Sequence, residues 1–362
     1  MKILILSCNT GGGHNSCAKY IKEELEDYNI TSNVVDYMTF VSKNASFYAE
    51  KLYLNSTKGN GTAFKYIYKL GETYNKTNIK SPVYLYNKLA CKKLYQYILD
   101  NNYDLCIATH VFPSLCLTEI KKKHNIKFIN VATDYECIPF WNETKPDLFS
   151  IPSKLLIDSF VSKKIPENIL FPSGIPISTK YVDSCKKVIF NTNKNKILVT
   201  SGSMGFGQMN NIVLNILSKI DCYLIVVCGN NKKMYKELLQ IKNDNLLVLG
   251  FIDNMNDYIY SSDLVITKPG GLTTTEIVCI RKPLIHMMPI PGVENYNASF
   301  FEQNKMSLSA NDGDMVIKLI DKVLNDEEIK KEMIDNQLKI INRYSAKSLV
   351  ECIIDKFGDN YE

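Results

Sequence analysis

Apolar and polar positions fall into short, recurring blocks along this chain. Lys2–Ser7 (KILILS) is a compact apolar run that ends at a glycine-rich turn, and Cys17, Ala18, Ile21 and Leu25 then repeat at helical spacing. Strand, glycine turn and helix in that order open an α/β unit. Further apolar runs at Leu105–Ala108, 128–131 and 148–151, with a helical stretch near 114–123, predict an open parallel sheet for the first half. A second series starts at Ile197. Its strand candidates are 196–200, 223–228, Leu246–Leu249, Leu264–Thr267 and 283–286, separated by helical stretches. Helical patterns at 315–324, 327–343 and 346–357 close the chain.

Between the halves, residues 172–195 carry Pro172, Gly174 and Pro176 and then the polar run NTNKNK, which reads as a linker. The length of 362 residues also suits two domains better than one. Two α/β halves joined by a linker make a cleft, and ligands of such sheets sit beyond the carboxyl ends of the strands.

Composition narrows the class. Hydrophobic residues make up 45% and charged residues 22%, which is globular rather than disordered. No uncharged apolar run reaches about 18 residues, so no spanning helix is predicted, and the short N-terminal run reads as a strand rather than a signal peptide. The 11 cysteines show no C-x-x-C pair, which predicts reduced thiols in a cytoplasmic protein rather than disulfides or a zinc site. The net charge of +5 is modest and points to no nucleic acid. Residues 40–100 stand apart, with ten lysines, three acids and twelve interleaved aromatics.

Three glycine-rich turns carry candidate chemistry. Lys268-Pro-Gly-Gly-Leu-Thr-Thr-Thr-Glu276 follows a strand candidate and opens a helix. Gly270 and Gly271 allow a tight turn and close approach of a ligand, and the positive end of the helix suits a diphosphate. Thr273, Thr274 and Thr275 are expected to add hydroxyl donors, and Glu276 is placed to accept the hydroxyls of a ribose. Thr200-Ser-Gly-Ser-Met-Gly-Phe-Gly207 lies between another strand and helix; Ser203, Gly205 and Gly207 fit either a phosphate-cradling loop or a plain glycine turn. Asn9-Thr-Gly-Gly-Gly-His14 brings His14, behind Gly12 and Gly13, to the end of the first strand, where an imidazole can act as general base. Asp134 ends the 130–134 run NVATD and could be a base, orient His14 or cap a turn. His110 follows the Leu105–Ala108 strand. Asp312-Gly-Asp314 has the form of a D-x-D metal motif, but its position before a helix reads as a cap. No cluster has metal-ligand spacing, so no metal is predicted.

The ordered set of motifs resembles glycosyltransferase family 28, the bacterial diacylglycerol β-glucosyltransferases and monogalactosyldiacylglycerol synthases, over nearly the whole chain. It comprises GGGH near the N-terminus, HVFP at 110–113, NVATD at 130–134, GIPI at 174–177, VVCGNN at 226–231, LGFIDNM at 249–255, ITKPGGLTTTE at 266–276 and PIPGVENYNASFF at 289–301. The resemblance implies the α/β GT-B fold, two doubly wound Rossmann-like domains facing across a cleft. Residues 1–172 would be the acceptor and membrane domain, 173–342 the UDP-sugar domain, and a helix within 343–362 would cross back to the first.

It further implies an inverting, metal-independent transfer of a hexose from a UDP-sugar co-substrate to diacylglycerol, with no other cofactor. The uracil would lie against Phe251 and Ile252, and the diphosphate at Ser203, Gly205 and Gly207 and at Gly270, Gly271 and Thr273. The ribose would meet Glu276 and the sugar Glu294 and Asn297. His14 and Asp134, with Gly12, Gly13 and His110, would face the acceptor. Many relatives have Gln where this chain has Val293, which cannot hydrogen-bond through its side chain; glucose is the preferred sugar over galactose. A lipid acceptor also gives the 40–100 segment a role, lysines drawing the protein to an anionic surface and aromatic rings inserting there, at the inner face of the cell membrane. Three rival readings are transfer of N-acetylglucosamine to a polyprenyl-linked peptidoglycan precursor, a UDP-sugar epimerase of the same fold, and a nonenzymatic nucleotide-binding regulator.

Overall fold

The computed structural model describes residues 1–9, 12–42, 80–200, 209–287, 289 and 292–358. Ser203, Gly205 and Gly207 lie outside the described residues, as does 43–79 of the lysine- and aromatic-rich segment. The chain divides into two compact units, Met1–Ser178 with Tyr344–Glu362, and Thr179–Arg343.

The first unit is built on β1 (Lys2–Ser7), β2 (Thr31–Asp36), β3 (Leu105–Ala108), β4 (Lys127–Val131), β5 (Leu148–Ser150) and β6 (Leu170–Phe171). They form one parallel sheet in the order β2-β1-β3-β4-β5-β6. The central strands are apolar on both faces, and Ile3 to Leu6 are fully buried, as a parallel sheet covered by helices requires. The chain leaves β1 for β2 on one side and returns to β3 on the other. Crevices at such reversals of strand order collect ligands. Leu94 and Ile98 of the Cys91–Asp100 helix and Cys116, Leu117 and Ile120 of the Val111–Lys121 helix pack on Leu4, Leu6, Cys106 and Phe128.

The helix Ser345–Phe357 belongs to this unit. Leu349, Val350 and Ile353 form its fully buried stripe, Ser345 Oγ donates to the Ile175 carbonyl at 2.7 Å, and Tyr28 donates to Glu351 at 3.1 Å.

The second unit carries β7 (Asn195–Thr200), β8 (Cys222–Val227), β9 (Leu246–Leu249), β10 (Leu264–Thr267), β11 (Leu284–Met287) and β12 (Leu308–Ala310). The sheet is again parallel, in the order β12-β11-β10-β7-β8-β9, so its reversal point lies between β7 and β10. Met209, Ile212, Val213 and Ile216 of the Met209–Lys219 helix, and Val316, Ile320 and Val323 of the Gly313–Asn325 helix, recur at helical spacing and cover the sheet. Asp312 caps the latter helix, accepting from the Met315 amide at 2.8 Å, and Asp314 pairs with Lys219 at 3.2 Å. This D-x-D therefore is a helix start.

β2, β6 and β12 were absent from the strand expectations. β2 lies at a sheet edge with an exposed, polar pattern, and β6 and β12 are edge strands of two and three residues. An edge strand does not need the continuous apolar run that marks a central one. Among the described residues, no helix is long and apolar enough to cross a membrane.

Candidate functional site

At the reversal point of the first sheet, the helix Gly12–Asp27 starts just beyond β1 and presents His14 in its first turn. Three elements converge on the imidazole. Its Nδ1 lies 2.8 Å from the Thr109 carbonyl, which follows β3, and 3.1 Å from the Thr133 hydroxyl, which follows β4. A carbonyl oxygen only accepts, so Nδ1 carries the proton and the lone pair sits on Nε2. The Thr109 hydroxyl in turn donates to the His14 carbonyl at 3.2 Å, so one buried threonine holds both the ring and the backbone of His14.

Burial lowers the His14 pKa from its ordinary value, opposed by the negative charge of Asp134 and the Thr109 carbonyl. The ring is thus neutral at pH 7, the state a general base needs. Asp134 is half-buried and acts on His14 through its charge.

His110 stands edge-on to His14, with ring centroids 4.7 Å apart and planes at 83°. It is the N-cap of the Val111–Lys121 helix, and its Nδ1 accepts from the Phe112 amide at 3.1 Å. Burial and the neighbouring His14 push its pKa well down, so it too is neutral, with its proton on Nε2. Asn9, two residues beyond β1, donates to Asp36 at 2.9 Å and accepts from Asn15, which itself accepts from Ser7 at 2.5 Å.

At the reversal point of the second sheet, β10 ends at Thr267, Lys268 follows it, and the helix Gly271–Cys279 begins three residues on. Gly270 is its N-cap and offers no side chain to cap the helix. Its φ of −72° suits any residue, so the backbone freedom expected of this glycine is not used. A Cβ built there meets nothing within 4 Å among the described residues, so the missing side chain instead leaves open space among them in front of the helix start. Backbone amides at such a start draw an anion.

Of the three threonines, Thr273 is half-buried and Thr274 and Thr275 are buried. Thr274 is bonded to His286 at 3.2 Å and Thr275 donates to the Gly271 carbonyl at 2.7 Å. The expectation of three hydroxyl donors is corrected: helical geometry turns two of them into the core. Glu276 sits in the second turn of the helix and is 8% exposed.

The helix Val293–Gln303 packs its start against the same turn. Asn297 donates to the Pro269 carbonyl at 3.0 Å, and Lys268 Nζ lies 2.9 Å from Glu294 Oε1. Gly292 permits this entry, for its φ of 114° and ψ of −126° are open to glycine alone. Phe251 and Ile252 follow the edge strand β9, two strands from β7 or about 10 Å away. Phe251 is exposed and Ile252 half-buried.

The structure thus brings His14, Asp134 and His110 together in the first unit, with Gly12 and Gly13 opening the helix that carries His14. In the second it brings Gly270, Gly271, Glu294 and Asn297 together. Sequence reasoning missed Thr109, Thr133 and Lys268. Thr133 and Lys268 lay inside motifs already singled out, while nothing in the sequence marked Thr109.

On the described part of the 40–100 segment, Leu85, Tyr86 and Leu89 are exposed, Leu89 by 72%, beside exposed Lys92 and Lys93. Lys88 pairs with Glu119 at 3.2 Å and Lys80 approaches Glu143 at 4.0 Å, so acids outside the segment compensate part of its charge.

Residues 14–177 match the family model described as monogalactosyldiacylglycerol (MGDG) synthase, and residues 196–351 the glycosyltransferase family 28 C-terminal domain. A processive diacylglycerol beta-glucosyltransferase of Staphylococcus epidermidis is 26% identical, over 99% of this chain and 93% of that protein. The protein of the same description from Bacillus pumilus is 28% identical, over 98% and 95%. Among solved structures, the spinosyn rhamnosyltransferase SpnG superposes with a TM-score of 0.68 at 11% identity, covering 98% of this chain and 100% of the other. Acinetobacter baumannii MurG gives 0.63 at 14%, covering 98% and 99%. The UDP-GlcNAc 2-epimerase of Methanocaldococcus jannaschii gives 0.60 at 15%, covering 98% and 99%. These likenesses establish the GT-B fold, with its two doubly wound parallel sheets.

Proposed function

We propose, from the premise that this chain belongs to glycosyltransferase family 28, that it transfers glucose from UDP-glucose to diacylglycerol, giving a β-glucosyldiacylglycerol. The observation that carries the chemistry is the pinned imidazole of His14, neutral and with its lone pair on Nε2. The acceptor hydroxyl attacks the anomeric carbon, and His14 Nε2 takes its proton. The bond from that carbon to the diphosphate oxygen breaks, and its electron pair leaves with UDP. Asp134 favours the imidazolium that forms. In the second unit the Gly270–Gly271 helix start receives the diphosphate, Phe251 and Ile252 the base, Glu276 the ribose, and Glu294 and Asn297 the sugar. Ser203, Gly205 and Gly207 complete the phosphate cradle in this reading, which calls for no metal. Relatives described as processive diacylglycerol beta-glucosyltransferases, matched over nearly the whole chain, support the lipid acceptor and glucose over galactose.

A lipid acceptor requires work at a membrane. Leu85, Tyr86 and Leu89 with Lys92 and Lys93 form a surface of the kind that seats in an anionic leaflet, here assigned to the inner face of the cell membrane. The test is incubation with diacylglycerol in anionic vesicles and labelled UDP-glucose or UDP-galactose in parallel. Label extracted into lipid from UDP-glucose is the expected result. No lipid label from either donor, despite UDP binding, would replace this reading with a polyprenyl acceptor or an epimerase.

A further inference from the structure

Lys268, the residue after β10, and Glu294, on the Val293–Gln303 helix, meet at 2.9 Å with side chains only 15% and 10% exposed. Burying two charges costs desolvation that their attraction need not return, so stability is a poor reason for such a pair. Its position suggests another. Lys268 stands two residues before Gly270, where the N-cap offers no side chain and where a Cβ would find open space among the described residues. Glu294 and Asn297 lie on the same helix, one holding the ammonium and the other the Pro269 carbonyl.

UDP departs carrying one more negative charge than it had in the donor, because the electron pair of the broken bond stays on its phosphate oxygen. A helix start supplies about half a positive charge. An ammonium supplies a whole one.

We propose that Lys268 is a catalytic residue that changes partner during the reaction. It is paired with Glu294 while the site is empty, and it moves to the terminal phosphate of the donor once a sugar hydroxyl donates to Glu294. The inference rests on reading this end of the second sheet as the donor site. The exchange couples charge stabilisation to the presence of a sugar: UDP alone leaves Glu294 anionic and holding Lys268, which favours product release after transfer.

The experiment compares wild type, Lys268→Met, Lys268→Arg and Glu294→Gln by calorimetric titration with UDP and by steady-state transfer from UDP-glucose. Lys268→Met is expected to lower kcat by about a hundredfold, the scale of losing one group that stabilises developing negative charge. Its UDP affinity changes little, and Lys268→Arg recovers part of the loss. Glu294→Gln, which frees the ammonium, binds UDP severalfold more tightly than wild type. A purely structural ion pair predicts weaker UDP binding in both variants. A folded Lys268→Met variant with wild-type kcat, or a Glu294→Gln variant with unchanged or weaker UDP affinity, would overturn the inference. Should Lys268→Met fail to fold, the Glu294→Gln titration decides alone. Absence of UDP binding to wild type would instead overturn the donor-site reading, and this inference with it.

Discussion

Replacing Thr133 with valine removes one hydroxyl and keeps the shape of the side chain, which makes it a graded probe of His14. The lost contact is the 3.1 Å approach to Nδ1, while the Thr109 carbonyl at 2.8 Å remains. A hydrogen bond of this kind contributes about 0.5–1.5 kcal/mol net, so the correctly oriented ring should be depleted by roughly two- to twelvefold. His14→Ala removes the proposed base, and general-base catalysis is worth about a hundredfold or more. The order expected for kcat is therefore wild type, then Thr133→Val, then His14→Ala. Initial rates of label transfer into diacylglycerol vesicles, with thermal melting to confirm folding, read all three. Near-normal turnover in a folded His14→Ala variant would exclude His14 as the base. A Thr133→Val variant as slow as His14→Ala would refute the reasoning that the remaining Thr109 carbonyl contact keeps the ring oriented.

The remaining predictions concern pH, the donor loop and the membrane. Burial holds the His14 pKa below 6.5, so kcat/KM should fall only as pH drops below that value; Asp134→Asn removes a charge that raises the pKa and should move the acidic limb to lower pH, and a limb above neutrality would contradict the assignment. Gly270→Ala should melt like wild type, since its φ and surroundings admit a methyl group, yet bind UDP roughly tenfold more weakly through loss of one charge-assisted contact; calorimetry that finds unchanged affinity would remove the diphosphate from this helix start. Leu89→Ser, at a side chain 72% exposed, should leave the melting temperature alone and reduce flotation with anionic vesicles by about tenfold, the cost of withholding one leucine from an apolar phase; equal flotation would move the contact elsewhere.

Much of this protein could be read along the chain because the central strands are buried on both faces. Runs such as KILILS and LVIT must be continuously apolar, and the glycine turns after them mark where strand gives way to helix. The same local logic identified Asp312 as a cap, for capping is settled within three residues. The resemblance to family 28 also stood on local motifs in order. Edge strands escaped because β2 is polar and half exposed and β6 and β12 are very short.

Contacts across the sheet are of another kind. Thr109 and Thr133 reach His14 from 95 and 119 residues away because the strand order sets β3 beside β1 and β4 beside β3. Lys268 finds Glu294 because Gly292 turns a helix back onto the end of β10. Thr274 and Thr275 look like donors in a string of letters, and the rotation of the helix buries both. Residue spacing encodes what neighbours four positions apart share. Strand order and helix rotation decide which distant groups meet, and here they supply the anchors of the His14 ring and the partner of Lys268.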